Sequence, residues 1–269
     1  MSNYDQEMRA FRESLDASLR AEDGWLTLVG LFWLEEGANT VGGDPACDIA
    51  LPPERVPARL GVIDFHDGQA VLRAEPGVDV RVDGQPVTQA TLRDDHSGAP
   101  SLVTAGSVTF FVIRRGDRFG IRARDAQHPA RASFTGRKWL PYNPVYRVVG
   151  TFSPHLPSRM LSNVNVVGIA ERMENPGTVT FSLFGRSMTM EAFSAGERAL
   201  WFVLRDATAG KTTYGAGRFL KVPLAADGSV DMDFNRAYNP PCAFTPYATC
   251  PLPPPENILP VELPVGERV

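Results

Sequence analysis

Val108-Thr109-Phe110-Phe111-Val112-Ile113, then Arg115-Gly116-Asp117, then Phe119-Gly120-Ile121-Arg122-Ala123-Arg124 is the stretch that decides the fold. Two short apolar runs flank a turn whose Gly and Asp tolerate positive φ, as a tight β-hairpin requires. The same pattern recurs on both sides of it. Toward the N-terminus, Val62–Phe65, Ala70–Arg73 and Val78–Val82 read as strands, with Asp83-Gly84 as a second tight turn. Toward the C-terminus, Tyr146–Phe152, Val164–Ala170, Thr178–Phe184, Ser187–Ala192, Leu200–Leu204, Thr213–Val222 and Val230–Phe234 follow one another without helical spacing. Such a succession predicts antiparallel barrel or sandwich architecture rather than parallel βαβ units. One segment departs from it: Asp5–Arg20 spaces Met8, Phe11, Leu15 and Leu19 three to four residues apart with charges between them, the pattern of an amphipathic helix.

A chain of 269 residues holds one large or two small domains. Prolines crowd the region from Pro129 to Pro157, which places the boundary there. The expected all-β organisation is an N-terminal helix over 1–24, a β-sandwich over 25–130, and a small antiparallel β-barrel or sandwich over 131–269. The 24 Gly and 23 Pro suit a loop-rich β protein, and nine of the prolines fall in 239–269. Proline lacks the N–H that a sheet ladder needs. The segment also carries Phe244, Tyr247, Leu252, Ile258, Leu259 and Val261, so it is expected to be an ordered, packed, extended arm rather than a disordered tail.

Charge and hydropathy narrow the partners. With 27 Lys+Arg against 31 Asp+Glu the formal charge is -4, which offers no basic surface to phosphates, so no nucleic-acid partner is expected. The longest apolar stretch, Trp25 to Leu34, is broken by Thr27 and Gly30 and is about half the length of a membrane span. Met1 to Ala10 is polar and has no apolar core of a secretory signal. The expectation is a cytoplasmic protein with reduced thiols, no membrane partner and no cofactor, binding a small molecule; the oligomeric state is not fixed.

The chemistry-bearing residues cluster in the second half. Gly-x-Ser-x-Gly, His-Glu-x-x-His and Cys-x-x-Cys signatures are absent. Gly210-Lys211-Thr212 resembles the end of a phosphate loop, but Arg205 stands where the first Gly is required and the flanks read as strands. Gly215-Ala216-Gly217 is too short for a dinucleotide fingerprint. The candidate ligand-binding residues are Asp206, Tyr214 and Arg218 with Asp233, Asn235 and Asn239, at one end of the barrel. Arg218 would meet an anionic group and the amides would fix its orientation. One alternative is a hydrolase with Asp206 or Asp233 as base and Tyr214 as proton donor, with Asp231 and Glu267 as further carboxylates that folding could bring near. Another is a protein-interaction adaptor acting through the sandwich.

Cys242 and Cys250 admit three readings: thiolates holding a metal, a disulfide or redox pair, or two buried small side chains. Their spacing, and the scatter of the four His over 66, 96, 128 and 155, argue against zinc. Buried side chains and no metal are the expectation, with Cys47 structural too. The cluster of Arg114, Arg115, Arg118, Arg122 and Arg124 is expected to form a solvated strand face, with Asp125 paired locally.

Several segments resemble the family known as domain of unknown function 1684: Gly24-Trp25-Leu26-Thr27-Leu28 with Gly30-Leu31-Phe32-Trp33-Leu34, Gly120–Asp125, Asp206–Thr208 with Thr213–Arg218, and Asp233–Cys242. Cys250-Pro251-Leu252-Pro253, Asn257 and Gly266-Glu267 complete the resemblance, of which the tail is the most specific part. It implies no particular activity. The first half is similar to a degenerate forkhead-associated sandwich, through Val41–Asp44 before Asp48–Pro52, Leu60-Gly61 and Val82–Gly84. The phosphothreonine contacts of that fold are not matched: Gly43 or Asp44 stands in place of the Arg, Pro57–Leu60 lacks the Ser, and Asp83 replaces the Asn. Asp83 would repel a phosphate. The resemblance therefore implies the fold without phosphopeptide binding.

Overall fold

The computed structural model describes residues 3–269, and the chain divides into two units, Glu13–Thr135 and Met1–Arg12 with Gly136–Val269. The division falls within the first helix, α1 (Asn3–Arg20). Its apolar stripe is used as the spacing predicts, with Met8 and Leu19 buried. In the C-terminal unit Phe11 meets Trp139 and Tyr238 edge-on, at ring separations of 6.0 and 6.4 Å.

Eleven short strands build the N-terminal unit. They are β1 (Leu28–Trp33), β2 (Gly37–Gly42), β3 (Ile49–Ala50), β4 (Gly61–His66), β5 (Gln69–Ala74) and β6 (Arg81–Val82). β7 (Gln85–Pro86), β8 (Gln89–Leu92), β9 (Val103–Ala105), β10 (Val108–Arg115) and β11 (Arg118–Asp125) follow. One sheet has the order β1-β11-β10-β9-β6-β7 and the other β3-β2-β4-β5-β8. Their inward residues, among them Val41, Ile63, Leu72, Val103, Phe110 and Ile121, form one core. The deciding hairpin is β10–β11, in register from Val108↔Asp125 to Arg115↔Arg118, with Gly116 at φ 55° in the turn.

The arginine face of β11 differs from the expected solvated surface. β11 lies between β1 and β10, and its outer face is roofed by aromatic rings. The guanidinium of Arg122, a residue only 4% exposed, lies 5.3 Å from the Trp25 ring, and that of Arg124 lies 5.0 Å from Phe111. A planar, weakly hydrated cation can be covered by a ring in this way. Burial holds the Arg124 pKa below its usual value. Asp125 is buried and meets Arg55, far away in sequence, at 3.3 Å rather than a local arginine.

The C-terminal unit is one sheet of β12 (Arg147–Val164), β13 (Ala170–Leu183), β14 (Arg186–Ser194), β15 (Ala199–Leu204), β16 (Arg218–Pro223) and β17 (Ser229–Asp233). In the order β16-β15-β14-β13-β12-β17 its end strands approach one another, so the sheet nearly closes as a barrel. The expected strand at Val164–Ala170 is instead the turn of the β12–β13 hairpin. Asn165 makes that turn, its Oδ1 accepting from the amides of Val167 and Ile169 at 3.1 and 3.0 Å. β12 runs on through Pro154 and Pro157 because the pairing shifts between Pro154 and Arg159, where missing N–H donors break no ladder. The strand expected from Thr213 starts only at Arg218, behind a loop held by Thr208 and Thr213 hydroxyls 2.8 Å apart.

Residues 239–269 form no strand; 3-10 turns at Pro241–Ala243 and Pro255–Asn257 punctuate an otherwise extended path. Leu259, Leu263 and Val265 of this arm enter the barrel core beside Phe181, Phe202 and Phe234. Gly217, at φ 99°, lets the loop turn beneath it: a Cβ there would lie 2.6 Å from the Leu204 carbonyl oxygen and 2.7 Å from Pro253 Cγ. Gly217→Ala is expected to lose about 1–3 kcal/mol of unfolding free energy in urea titration, from strain at positive φ added to the clash. An unchanged midpoint would show that the arm yields freely at Pro253.

Candidate functional site

The six residues expected to line a pocket separate into small groups, each bonded within the C-terminal unit. Asp206 and Arg218 form an ion pair at 2.9 Å with both side chains 1% exposed. The same guanidinium donates to the carbonyls of Leu263 at 3.0 Å, Glu267 at 3.4 Å and Val265. The other Asp206 oxygen accepts from the Leu263 amide at 3.0 Å and the Thr208 amide at 2.9 Å. A loop carboxylate and a strand arginine thus clasp the last turn of the arm. Burial presses the Arg218 pKa down, and the Asp206 carboxylate opposes that shift.

Asp233 caps a 3-10 turn, accepting the Asn235 amide at 3.1 Å, while its second oxygen accepts the Tyr4 hydroxyl at 2.8 Å. Burial and this bond raise the Tyr4 pKa well above the ordinary phenol value. Asn235 exchanges two hydrogen bonds with the backbone of Asn143, at 2.9 and 3.1 Å, and so holds the segment entering β12. Asn239 donates to the Arg268 carbonyl at 3.1 Å, and its amide donates to the Glu267 carboxylate at 2.7 Å. Glu267 in turn meets Arg137 at 2.6 Å with both side chains almost fully buried.

Every carboxylate considered as a general base is therefore ion-paired: Asp206 with Arg218, Asp231 with Arg147, Asp233 with Arg236 and Glu267 with Arg137.

Tyr214 lies apart from the arginine clasp. Its hydroxyl donates to the Cys242 carbonyl at 3.0 Å, and burial, with the Cys242 side chain beside it, raises its pKa. The Cys242 amide donates to Cys250 Sγ at 3.3 Å, so Tyr214, Cys242 and Cys250 form one contiguous group. Neither cysteine is in a disulfide, Cys250 being buried and Cys242 half-buried; Cys47, buried in the N-terminal unit, is not in one either.

A cavity of about 360 Å³ opens elsewhere, where β12 shifts register. Phe152, Pro154, Leu156, Pro176, Leu200 and Leu224 give it apolar walls, and His155 and Arg198 give it polar ones. None of the six sequence-chosen residues lines it. His155 Nε2 is 3.7 Å from the Glu191 carboxylate, itself held at 2.9 Å by Asn175. The sequence marks this place only by a His between two prolines in a strand, a weak signal.

In the N-terminal unit Asp83, at φ 51°, accepts from the Leu102 amide at 2.9 Å and meets Arg93 at 3.1 Å. Its carboxylate is engaged by these two contacts at the surface of the unit. No helix among the described residues is long and apolar enough to cross a membrane.

These features define a mostly β protein with a sandwich unit and a barrel-like unit locked by its own proline-rich arm. The chain belongs to the family of proteins of unknown function DUF1684, whose model matches residues 132–268. No curated protein matches it. Among solved structures it is similar to an uncharacterized protein of Haloarcula marismortui, at 31% identity over 52% of this chain and 80% of that one, TM-score 0.44. It is also similar to the FhaA FHA domain complexed with the intracellular domain of Rv3910, at 20% identity over 35% of this chain and 97% of that one, TM-score 0.25.

Proposed function

We propose that the C-terminal unit is a binding module for a small molecule with an apolar body and an anionic group, seated in the cavity beside His155 and Arg198. The observation that carries this reading is the cavity itself. Its volume of about 360 Å³ is of ligand size, and its apolar wall with a few polar side chains is the usual make-up of a small-molecule site. Arg198 supplies a guanidinium for a carboxylate or sulfonate, and His155 adds an imidazole to the same wall. Binding is favoured over catalysis because the carboxylates suited to proton transfer are held by arginines. In this reading Asp206, Tyr214, Arg218, Asp233, Asn235 and Asn239 shape the unit and its arm rather than touch the ligand.

Octanoate, added to the full chain, is the test. At about 100 times its Kd it should stabilise the folded protein by about 2.7 kcal/mol, read as a rise in Tm, while octanol gives a smaller rise. Ser194→Trp, which fills the cavity from its rim, should abolish the rise without lowering the ligand-free Tm. The reading fails if the Trp variant responds to octanoate as the parent does, or if neither compound shifts the parent.

A further inference from the structure

We propose that Cys242 and Cys250 are a reversible redox pair, closing into a disulfide within the arm by exchange with a low-molecular-weight disulfide. The inference is independent of the cavity. Three geometric facts carry it. The Cys250 sulfur accepts from the Cys242 amide at 3.3 Å, so the two residues already meet in the fold. A disulfide requires Cβ atoms about 3.5–4.5 Å apart, which a short rigid loop can supply. That loop carries Pro246 and is entered and left by Pro241 and Pro251, which limits how far the two cysteines can separate. The two residues also differ in access: Cys242 is partly open to solvent and Cys250 is buried. An accessible attacking thiol beside a buried resolving one is the arrangement of redox-sensing pairs.

The surroundings favour thiol chemistry over metal binding. Hydrogen bonding from Cys250 is the largest influence on Cys242, with a further bond from Tyr214, and together they bring its pKa down to about 7 against the opposing effect of burial. More of it is then thiolate, the attacking form, near neutral pH. Among the described residues no group of three or more His, Cys, Asp or Glu gathers around a metal position, so the pair has no further ligand. Cys47, buried with its sulfur 3.7 Å from the Ala58 carbonyl, serves as an internal control.

The chemistry balances as two exchanges. The Cys242 thiolate attacks one sulfur of the small disulfide, forming a mixed disulfide and expelling one small thiolate, which takes a proton from solvent. Cys250 then gives its proton to solvent and attacks the Cys242 sulfur, forming the internal disulfide and expelling the second small thiol. Two protein thiols are oxidised and one small disulfide is reduced to two thiols.

The test equilibrates the full chain in buffers of oxidised and reduced glutathione, alkylates the remaining thiols and maps the peptides by mass. The expected result is a Cys242–Cys250 cross-link that forms in oxidised glutathione and reverses in reduced glutathione, with Cys47 alkylated throughout. Cys250→Ser should trap glutathione on Cys242, whereas Cys242→Ser should leave Cys250 unmodified. In the reduced parent, the alkylation rate of Cys242 should rise with a midpoint at about pH 7. The cross-link is read on the parent, so it stands even where a variant fails to fold. Glutathione retained on Cys242 of the parent without cross-linking overturns the proposal. So does stoichiometric zinc released on thiol modification.

Discussion

Arg218→Ala is expected to lower the unfolding free energy by about 3–5 kcal/mol in urea titration, the range for removing one partner of a buried ion pair. The change leaves the Asp206 carboxylate, 1% exposed, without its cation and takes a donor from the carbonyls of Leu263, Val265 and Glu267. A buried charge without a partner costs far more than the pair gained by forming. Because all three carbonyls belong to the arm, the loss should also be local. Limited proteolysis should cut within 239–269 under conditions where the parent is resistant. Arg218→Lys keeps the charge but not the fork of donors, and should recover only part of the loss. The double variant Asp206→Leu with Arg218→Met removes both charges and should be less destabilised than Arg218→Ala alone. A loss under about 1 kcal/mol, the value of an exposed pair, would mean that the clasp is open to water in solution.

Asn257→Leu should be nearly as damaging, on the order of 3 kcal/mol or more, although the two side chains are of similar size. Asn257 is fully buried, and its side-chain amide accepts the Glu191 amide at 2.7 Å and donates to the carbonyls of Glu191 and Val203, both at 2.9 Å. It works as a spare rung between β14 and β15, which pair directly only at Phe193↔Trp201 and Ser194↔Leu200. Leucine leaves three buried backbone groups unsatisfied, at about 1–3 kcal/mol each. Amide hydrogen exchange gives the sharper readout: the Glu191 amide should lose protection ahead of the rest of β14. If Glu191 keeps its protection in the variant, the rung is not what joins these strands.

How much was legible beforehand follows from the range of each interaction. Alternation of apolar residues around Arg115-Gly116-Asp117 depends on immediate neighbours, and β10–β11 forms where that pattern lies. The prolines of 239–269 bar a ladder by their own chemistry, and no strand forms there. Local readings also failed locally. Val164–Ala170 is apolar enough for a strand, but Asn165 turns it, and the bulge at Pro154 that lengthens β12 is visible only once β13 is opposite it.

The candidate site was the least legible part. Asp206, Arg218, Asp233, Asn235, Asn239 and Tyr214 were expected to bind a ligand, and in the fold their hydrogen-bond partners include the arm's own backbone, Tyr4, Asn143 and Cys242. Sequence by itself determined the β class, the N-terminal helix, the tight turns and the extended arm, because pleat periodicity, helical spacing and turn chemistry act over a few residues. Tertiary structure alone decided that the arginines of β11 are roofed by rings, that Arg137 meets Glu267 across 130 residues, and that a cavity opens beside His155. Burial and ion pairing depend on which distant segments pack together, and no local pattern encodes that.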